Sequence, residues 1–189
     1  MTPTTPIMPP WRPHLVPALG DADLTWAYPW PAGERLAADL AEVVDCRGLR
    51  IAEMGCGRGR TGLTALLLGA TTVLFTDLAA EPLAYVTTAL AINQLTDRGQ
   101  TALHAWGDPL PGGPFDLIIG ADILYRPTFH GALLRSVASS LSPDGQCLFS
   151  DPRTELEPEL PKIAAACGLD WRQERRAHHY TLATVTWRR

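Results

Sequence analysis

"IAEMGCGRGRTG", residues 51–62, is the stretch on which the fold turns. A short apolar run carries Glu53 near its end. Gly55, Gly57 and Gly59 then alternate with other residues, and Gly62 follows one turn later. Such spacing predicts a backbone that bends sharply at a strand's end and lets a ligand come close. Dinucleotide loops read G-x-G-x-x-G and admit a pyrophosphate to a helix N-terminus. Here Arg60 stands where the third glycine of that pattern would be, and the spacing is E-x-G-x-G-x-G from Glu53 to Gly59. A carboxylate at the strand end would repel a phosphate and favour a cationic ligand. S-adenosylmethionine has a sulfonium, an ammonium and no phosphate, and so fits. A nucleotide loop or a purely structural turn is the alternative.

Outward from this loop, strand and helix patterns alternate. Leu36, Leu40, Val43 and Val44 recur at helical spacing after Pro31, a residue suited to a first turn. "LRIAEMG" is expected as a strand, "RTGLTALLLGA" as a helix, "TTVLFTD" as a β-branched strand and "AAEPLAYVTTALAINQL" as a helix. "QTALHAW" and "FDLIIGADILY" follow as strands, the second apolar enough for burial on both faces. "TFHGALLRSVASSL" is a helix, "SPDGQCLFSD" a turn and strand, and "PELPKIAAACGL" a helix ended by Gly168. The last two runs, "DWRQERRA" and "YTLATVTWRR", are separated by two histidines, a link that permits only antiparallel pairing. The expectation is an α/β, Rossmann-like, seven-stranded sheet with helices on both faces, parallel except for one reversed strand near its edge. Residues 1–13, rich in proline and threonine, are expected as a flexible tail, and residues 14–189 as one domain.

Strand ends supply the remaining candidates. Asp77 closes the second strand 24 positions after Glu53. An acidic side chain about 20 residues past a glycine motif can accept hydrogen bonds from both ribose hydroxyls; a helix cap is the other reading. Trp106 and Asp108 follow the third strand, where an adenine ring and its exocyclic amine would lie. A packed aromatic and a turn-forming Asp serve equally well there. Cys56 within the loop and Leu78 beside Asp77 complete the expected cofactor contacts. Asp122 and Tyr125 follow the fourth strand, and a carboxylate there is costly to bury without a partner.

Composition bounds the class. The chain has 189 residues, an apolar fraction of 46% and a net charge of −4, which argues against a nucleic-acid partner. Cys46, Cys56, Cys147 and Cys167 form no CxxC pair, which reads as reduced thiols in the cytoplasm with no metal site. No apolar run reaches the roughly 18 residues that span a bilayer, and the N-terminus lacks a basic-then-apolar signal pattern.

Taken together, these residues resemble a seven-strand S-adenosylmethionine-dependent methyltransferase. "TWAYPWPAGERLA" is similar to the leading Trp-Pro segment of the family-16 protein methyltransferases, and "ADILY" resembles their Asp-x-x-Tyr signature. The branch acting on lysines of the electron-transfer flavoprotein β-subunit shows a similar leading segment, a "DP" after the fifth strand (here Asp151-Pro152) and a run like "TVTW". Two departures stand out. Arg58 lies where small or neutral residues are usual, either to meet the cofactor's carboxylate or to point into water. Arg153 and Thr154 replace a Gly-Arg.

The resemblance implies S-adenosylmethionine as cofactor, S-adenosylhomocysteine as product and a protein lysine as acceptor, in a protein expected to be monomeric. Asp122 would then capture and orient the amine, and Tyr125 would hydrogen-bond to it and wall its channel. Trp30 and Trp26 would cover the cofactor and the lysine stem, or form an ordinary aromatic lid. A small-molecule amine or hydroxyl acceptor, and a non-catalytic cofactor-binding module, are the competing readings. A closed pocket over Asp122 would favour the small molecule, and an open groove the protein.

Overall fold

The computed structural model describes residues 5–9 and 25–189. A short 3-10 turn at Thr25–Ala27 leads into helix α1 (Pro31–Val43). Strand β1 (Arg50–Met54), helix α2 (Arg60–Leu67), strand β2 (Thr72–Asp77), helix α3 (Ala80–Ile92) and strand β3 (Gly99–Leu103) follow. Then come β4 (Phe115–Ala121), α4 (His130–Ser140), β5 (Leu141–Asp151), α5 (Leu160–Ala166), β6 (Leu169–Arg175) and β7 (Thr181–Trp187).

The seven strands form one sheet in the order β3-β2-β1-β4-β5-β7-β6. β7 alone runs against its neighbours, pairing antiparallel with both β5 and β6. The mostly parallel sheet with one reversed strand is therefore as the sequence implied. Winding reverses between β1 and β4, so the crevice at their carboxyl ends is the topological switch point. β1 and β4 are buried on both faces, which is why their sequences read as continuous apolar runs. Ile51, Val73, Phe75, Leu117 and Ile119 pack beneath α1, α2 and α3. Ala52, Met54, Leu74, Ile118 and Phe149 pack against α4 and α5 on the other face.

Three local expectations differ from the structure. "SPDG" is not a turn ahead of β5 but a bulge inside it: Phe115 pairs with Leu141, whereas Leu117 pairs with Gln146. β3 ends at Leu103, so Trp106 and Asp108 lie in the following loop, joined by an isolated bridge. The tail is the third. Residues 1–4 and 10–13 of it lie outside the described residues, as do residues 14–24, but residues 5–9 are docked. Ile7 exchanges two hydrogen bonds with the Asn93 side chain, at 2.8 and 2.7 Å, and Tyr85 Oη donates to Pro9 O at 2.7 Å. Proline removes donors, which prevents a helix or strand here, but its carbonyls still accept.

The β6–β7 hairpin is tied to α1 through a buried carboxylate. Asp39 accepts from Tyr180 Oη at 3.2 Å and lies 2.6 Å from His178 Nδ1, while Arg35 Nη1 donates to His179 O at 2.8 Å. Tyr180 is fully buried. Tyr180→Phe keeps the ring and removes one donor from Asp39, so it should cost about 1–2 kcal/mol. Tyr180→Ala should cost about 3–5 kcal/mol. Urea denaturation measures both; equal losses for the two variants would contradict this anchoring.

Candidate active site

The glycine loop is built from below. Glu53, at the end of β1, is 3% exposed. Its Oε2 accepts from the Gly62 backbone N–H in the first turn of α2, at 3.0 Å. A Cβ at Gly62 would lie 2.5 Å from Phe75 Cε1 and 2.6 Å from Glu53 Oε2, so no side chain fits at that position. Burial pushes the Glu53 carboxyl up to about 8, against the pull of donors on Gly62 and Thr61, and the Asp77 charge pushes it further. This corrects the expectation that Glu53 faces a cationic ligand. It lies beneath the loop and ties α2 to β1. Cys56 is corrected likewise. Its thiol is buried, its N–H donates to Thr76 O at 2.9 Å, and its carbonyl accepts from Gly59 N at 2.7 Å.

Asp77 does two jobs at once. Its Oδ2 accepts from Gly57 N at 3.0 Å, which holds the loop against β2. Its Oδ1 accepts from Ala79 N at 3.3 Å, at the entrance to α3. Each oxygen keeps a second lone pair for a ligand hydroxyl. Leu78 beside it is 77% exposed on the rim. Gly55, Gly57 and Gly59 all adopt positive φ, at 58°, 48° and 68°. Gly57 has a second reason to be glycine: its Cβ would lie 2.9 Å from the Trp26 carbonyl. The leading segment thus crosses the loop, and Trp26 packs edge-on against Tyr85 of α3, centroids 5.8 Å apart.

Across the crevice, Trp106 packs edge-on against Phe129 at 6.2 Å, and its Cζ2 faces Gly55. Asp108 is exposed in the same loop. Arg58 does not simply point into water. Its guanidinium lies 5.6 Å from the Tyr85 ring centroid and shares the Tyr85 hydroxyl at 3.2 and 3.3 Å.

The acceptor side centres on Asp122, which leaves β4 in a left-handed conformation with φ of 57°. Its Oδ2 accepts from Gly33 N in the first turn of α1, at 2.8 Å. Its Oδ1 is buried and has no hydrogen-bond partner. Burial pushes this carboxyl up to about 6, and the Asp151 charge adds to the rise. The Gly33 and Ala32 N–H groups and the Arg35 charge pull it back. A buried acceptor oxygen with no donor is an unmet demand that an incoming N–H or O–H would satisfy. Trp30, Tyr28 and Tyr125 are 45%, 56% and 59% exposed, and Trp30 and Tyr28 meet edge-on at 5.0 Å.

The crevice therefore contains a tight glycine loop, a carboxylate at the end of β2 that accepts two backbone N–H groups, an aromatic wall and a second carboxylate with one buried, unpaired oxygen. That set fits S-adenosylmethionine, the cofactor of this class of fold. Sequence reading gave no role to Gly33, Tyr85 or Phe129, whose contributions arise only from packing. Gly33 stood within the quoted leading segment, but its N–H–Asp122 bond spans 89 positions.

Comparisons with known proteins agree. The family-16 methyltransferase family, described as "Lysine methyltransferase", matches residues 29–157. The chain belongs to that family. It is 38% identical over 114 residues to the protein N-lysine methyltransferase METTL21A of Danio rerio, covering 57% of this chain and 51% of that protein. It is 28% identical to the electron transfer flavoprotein beta subunit lysine methyltransferase of Danio rerio, covering 69% of this chain and 50% of that one. It is also 32% identical to the ribosomal protein L11 methyltransferase of Prochlorococcus marinus, covering 81% of this chain and 50% of the relative. The chain thus spans about half the length of the curated relatives it matches. Among solved structures, a glycopeptide N-methyltransferase complexed with S-adenosylmethionine superposes with a TM-score of 0.67 at 15% identity, covering 85% of this chain and 96% of that one. That likeness bears on the fold.

Glu53 gives a test of the buried support. A carboxyl raised above its unfolded value contributes stability that is complete below about pH 4.5 and is lost as pH rises through about 8. The ligand-free protein should therefore weaken over that window, and Glu53→Gln should flatten the slope. Unfolding free energies at about pH 5 and about pH 9 measure it. Parallel pH dependences for the two proteins would contradict the buried, proton-holding role.

Proposed function

We propose that this protein transfers a methyl group from S-adenosylmethionine to a lysine side chain of a protein. The observation that carries this reading is Asp122 Oδ1, a buried and unpaired acceptor where the chain leaves β4. When bound, the cofactor supplies a methyl group made electrophilic by its sulfonium. Positioning is then the main work left to the protein. Asp77 would hold the ribose hydroxyls, Trp106 would wall the adenine, and the loop at Gly55–Gly59 would admit the rest.

Asp122 would accept an N–H from the incoming ammonium and orient the nitrogen. Making a lysine neutral near pH 7 costs about 4 kcal/mol, from roughly three units below its ordinary pKa. Exclusion of water lowers that cost, while the Asp122 charge opposes it. Asp122 is therefore assigned to capture and orientation, and the proton leaves to water. Tyr125 and Trp30, exposed among the described residues, would line the lysine stem and attract its charge by about 0.5–2 kcal/mol.

Tyr28, Trp30, Leu78 and Tyr125 are exposed among the described residues, which supports a protruding side chain over an enclosed small molecule. The relatives named for lysine and for ribosomal protein L11 support a protein acceptor as well. Among the described residues no helix is long and apolar enough to cross a membrane. All four cysteines are free, and three are buried, which suits a reducing compartment such as the cytoplasm.

The test is incubation with methyl-labelled cofactor and a host lysate. Label should appear on lysine in a protein; label confined to the small-molecule fraction would overturn the acceptor. Two variants refine it. Asp122→Asn loses a charge-assisted hydrogen bond of about 1.5–3 kcal/mol, so single-turnover transfer should slow roughly tenfold to two-hundredfold with cofactor affinity intact. The wild-type rate should also fall as pH drops through about 6, where Asp122 takes up a proton, and the Asn variant should lack that limb. A collapse of cofactor affinity in Asp122→Asn would move this residue to the cofactor side. Asp77→Ala should weaken cofactor binding by about 1–3 kcal/mol in calorimetry.

A further inference from the structure

Beyond the crevice, one polar cluster joins the ends of four strands, β4, β5, β6 and β7. Asp151, at the end of β5, is 2% exposed. Arg153 meets both of its oxygens, with Nε on Oδ1 and Nη2 on Oδ2, each at 2.8 Å. The same Nη2 donates to Leu124 O at 3.0 Å. Leu124 O also accepts from His130 Nε2 at 2.9 Å; a carbonyl only accepts, so that nitrogen carries the hydrogen. Leu124, between Asp122 and Tyr125, is fully buried. Its carbonyl is thus gripped from two elements, β5's exit and α4. Arg153 is fixed in turn: its carbonyl accepts from Thr181 Oγ1 at 2.6 Å and from Arg175 Nη1 at 3.2 Å.

We infer that Arg153 is a positioning residue for methyl transfer: it holds the Asp122–Tyr125 segment through the Leu124 carbonyl and neutralises Asp151 on the strand beside Asp122. The inference rests on the proposed role of Asp122. Two physical effects combine. The grip fixes a segment that leaves its strand through a left-handed residue and carries both acceptor-side groups, and small misplacements there are costly to transfer. The charge effect is separate. Asp122 and Asp151 stand at equivalent levels of adjacent parallel strands, since Ala121 pairs with Ser150. An unneutralised Asp151 would hinder ionisation of Asp122. Among the described residues, the other charged group acting on Asp122 is Arg35 of α1, in the opposite sense. Arg153 itself also faces Glu157, at 3.9 Å.

Three variants separate grip from charge. Arg153→Met removes both, Arg153→Lys keeps the charge but loses the forked geometry, and Asp151→Asn with Arg153→Met leaves no buried unpaired charge. That double variant also guards against simple loss of folding in the single one. The charge effect is read in the free protein, by following the carboxyl carbon signals of Asp122 and Asp151 through a pH titration. In Arg153→Met the Asp122 midpoint should lie at higher pH than in wild type. Arg153→Lys should match wild type, and the double variant should return Asp122 to the wild-type midpoint or below it. The grip is read by single-turnover transfer: Arg153→Met and the double variant should both slow by about tenfold or more, with cofactor affinity by calorimetry unchanged. Unchanged titrations in Arg153→Met would overturn the inference whether or not an acceptor has been found. So would a wild-type transfer rate in the double variant. Failure of the wild type to methylate any protein would instead count against the acceptor assignment, which the titration does not use.

Discussion

The cofactor side of the crevice depends on two acidic side chains, one accepting from the glycine loop and the other from the first turn of α2. Asp77 holds Gly57 from β2, and Glu53 holds Gly62 from β1. The loop's glycines adopt left-handed conformations, which cost little for glycine but give no contact energy of their own. Without the carboxylates, backbone donors at the start of α2 would be left unmatched at a strand end. Glu53 is buried so deeply that its ordinary ionisation is suppressed. The fold thus accepts an electrostatic penalty below the loop in exchange for a defined surface above it.

A second constraint joins the two halves of the site. The leading segment places the Trp26 carbonyl over Gly57 and, a few residues on, the Gly33 N–H on Asp122. One short stretch therefore sets the spacing between the cofactor loop and the acceptor carboxylate. Its ring contacts reinforce this: Trp26 leans on Tyr85, and Tyr85 engages Arg58 and the docked residues near Pro9. Because Gly33 takes one lone pair of Asp122 Oδ2, Oδ1 is the oxygen left wholly unpaired.

Much of this was legible in the sequence because it rests on local pattern. Strand and helix alternation gave the sheet, and two histidines between the last strands forced their antiparallel pairing. E-x-G-x-G-x-G and Asp77 marked the crevice, since spacing along the chain survives folding. What spacing cannot reveal is direction. Glu53 and Cys56 lie in the motif yet turn inward, a matter of what packs around the loop once α2 is seated on the sheet. Arg58 was legible as unusual, but its partner Tyr85 lies 27 positions away on α3. The docked residues 5–9 were opaque for a similar reason. Proline content predicts the absence of regular structure and is silent about carbonyls that find donors on another helix. The Arg153 grip on Leu124 joins two loops that no periodic pattern connects.

The central claim is that cofactor and acceptor meet between Asp77 and Asp122. It is tested most directly by a crystal structure of the protein with S-adenosylhomocysteine. The account predicts ribose hydroxyls within hydrogen-bond reach of Asp77, about 2.6–3.2 Å. It also predicts the adenine against Trp106 and the thioether sulfur directed toward Asp122 Oδ1. A complex with the ribose away from Asp77, or with the sulfur turned from Asp122, would contradict it.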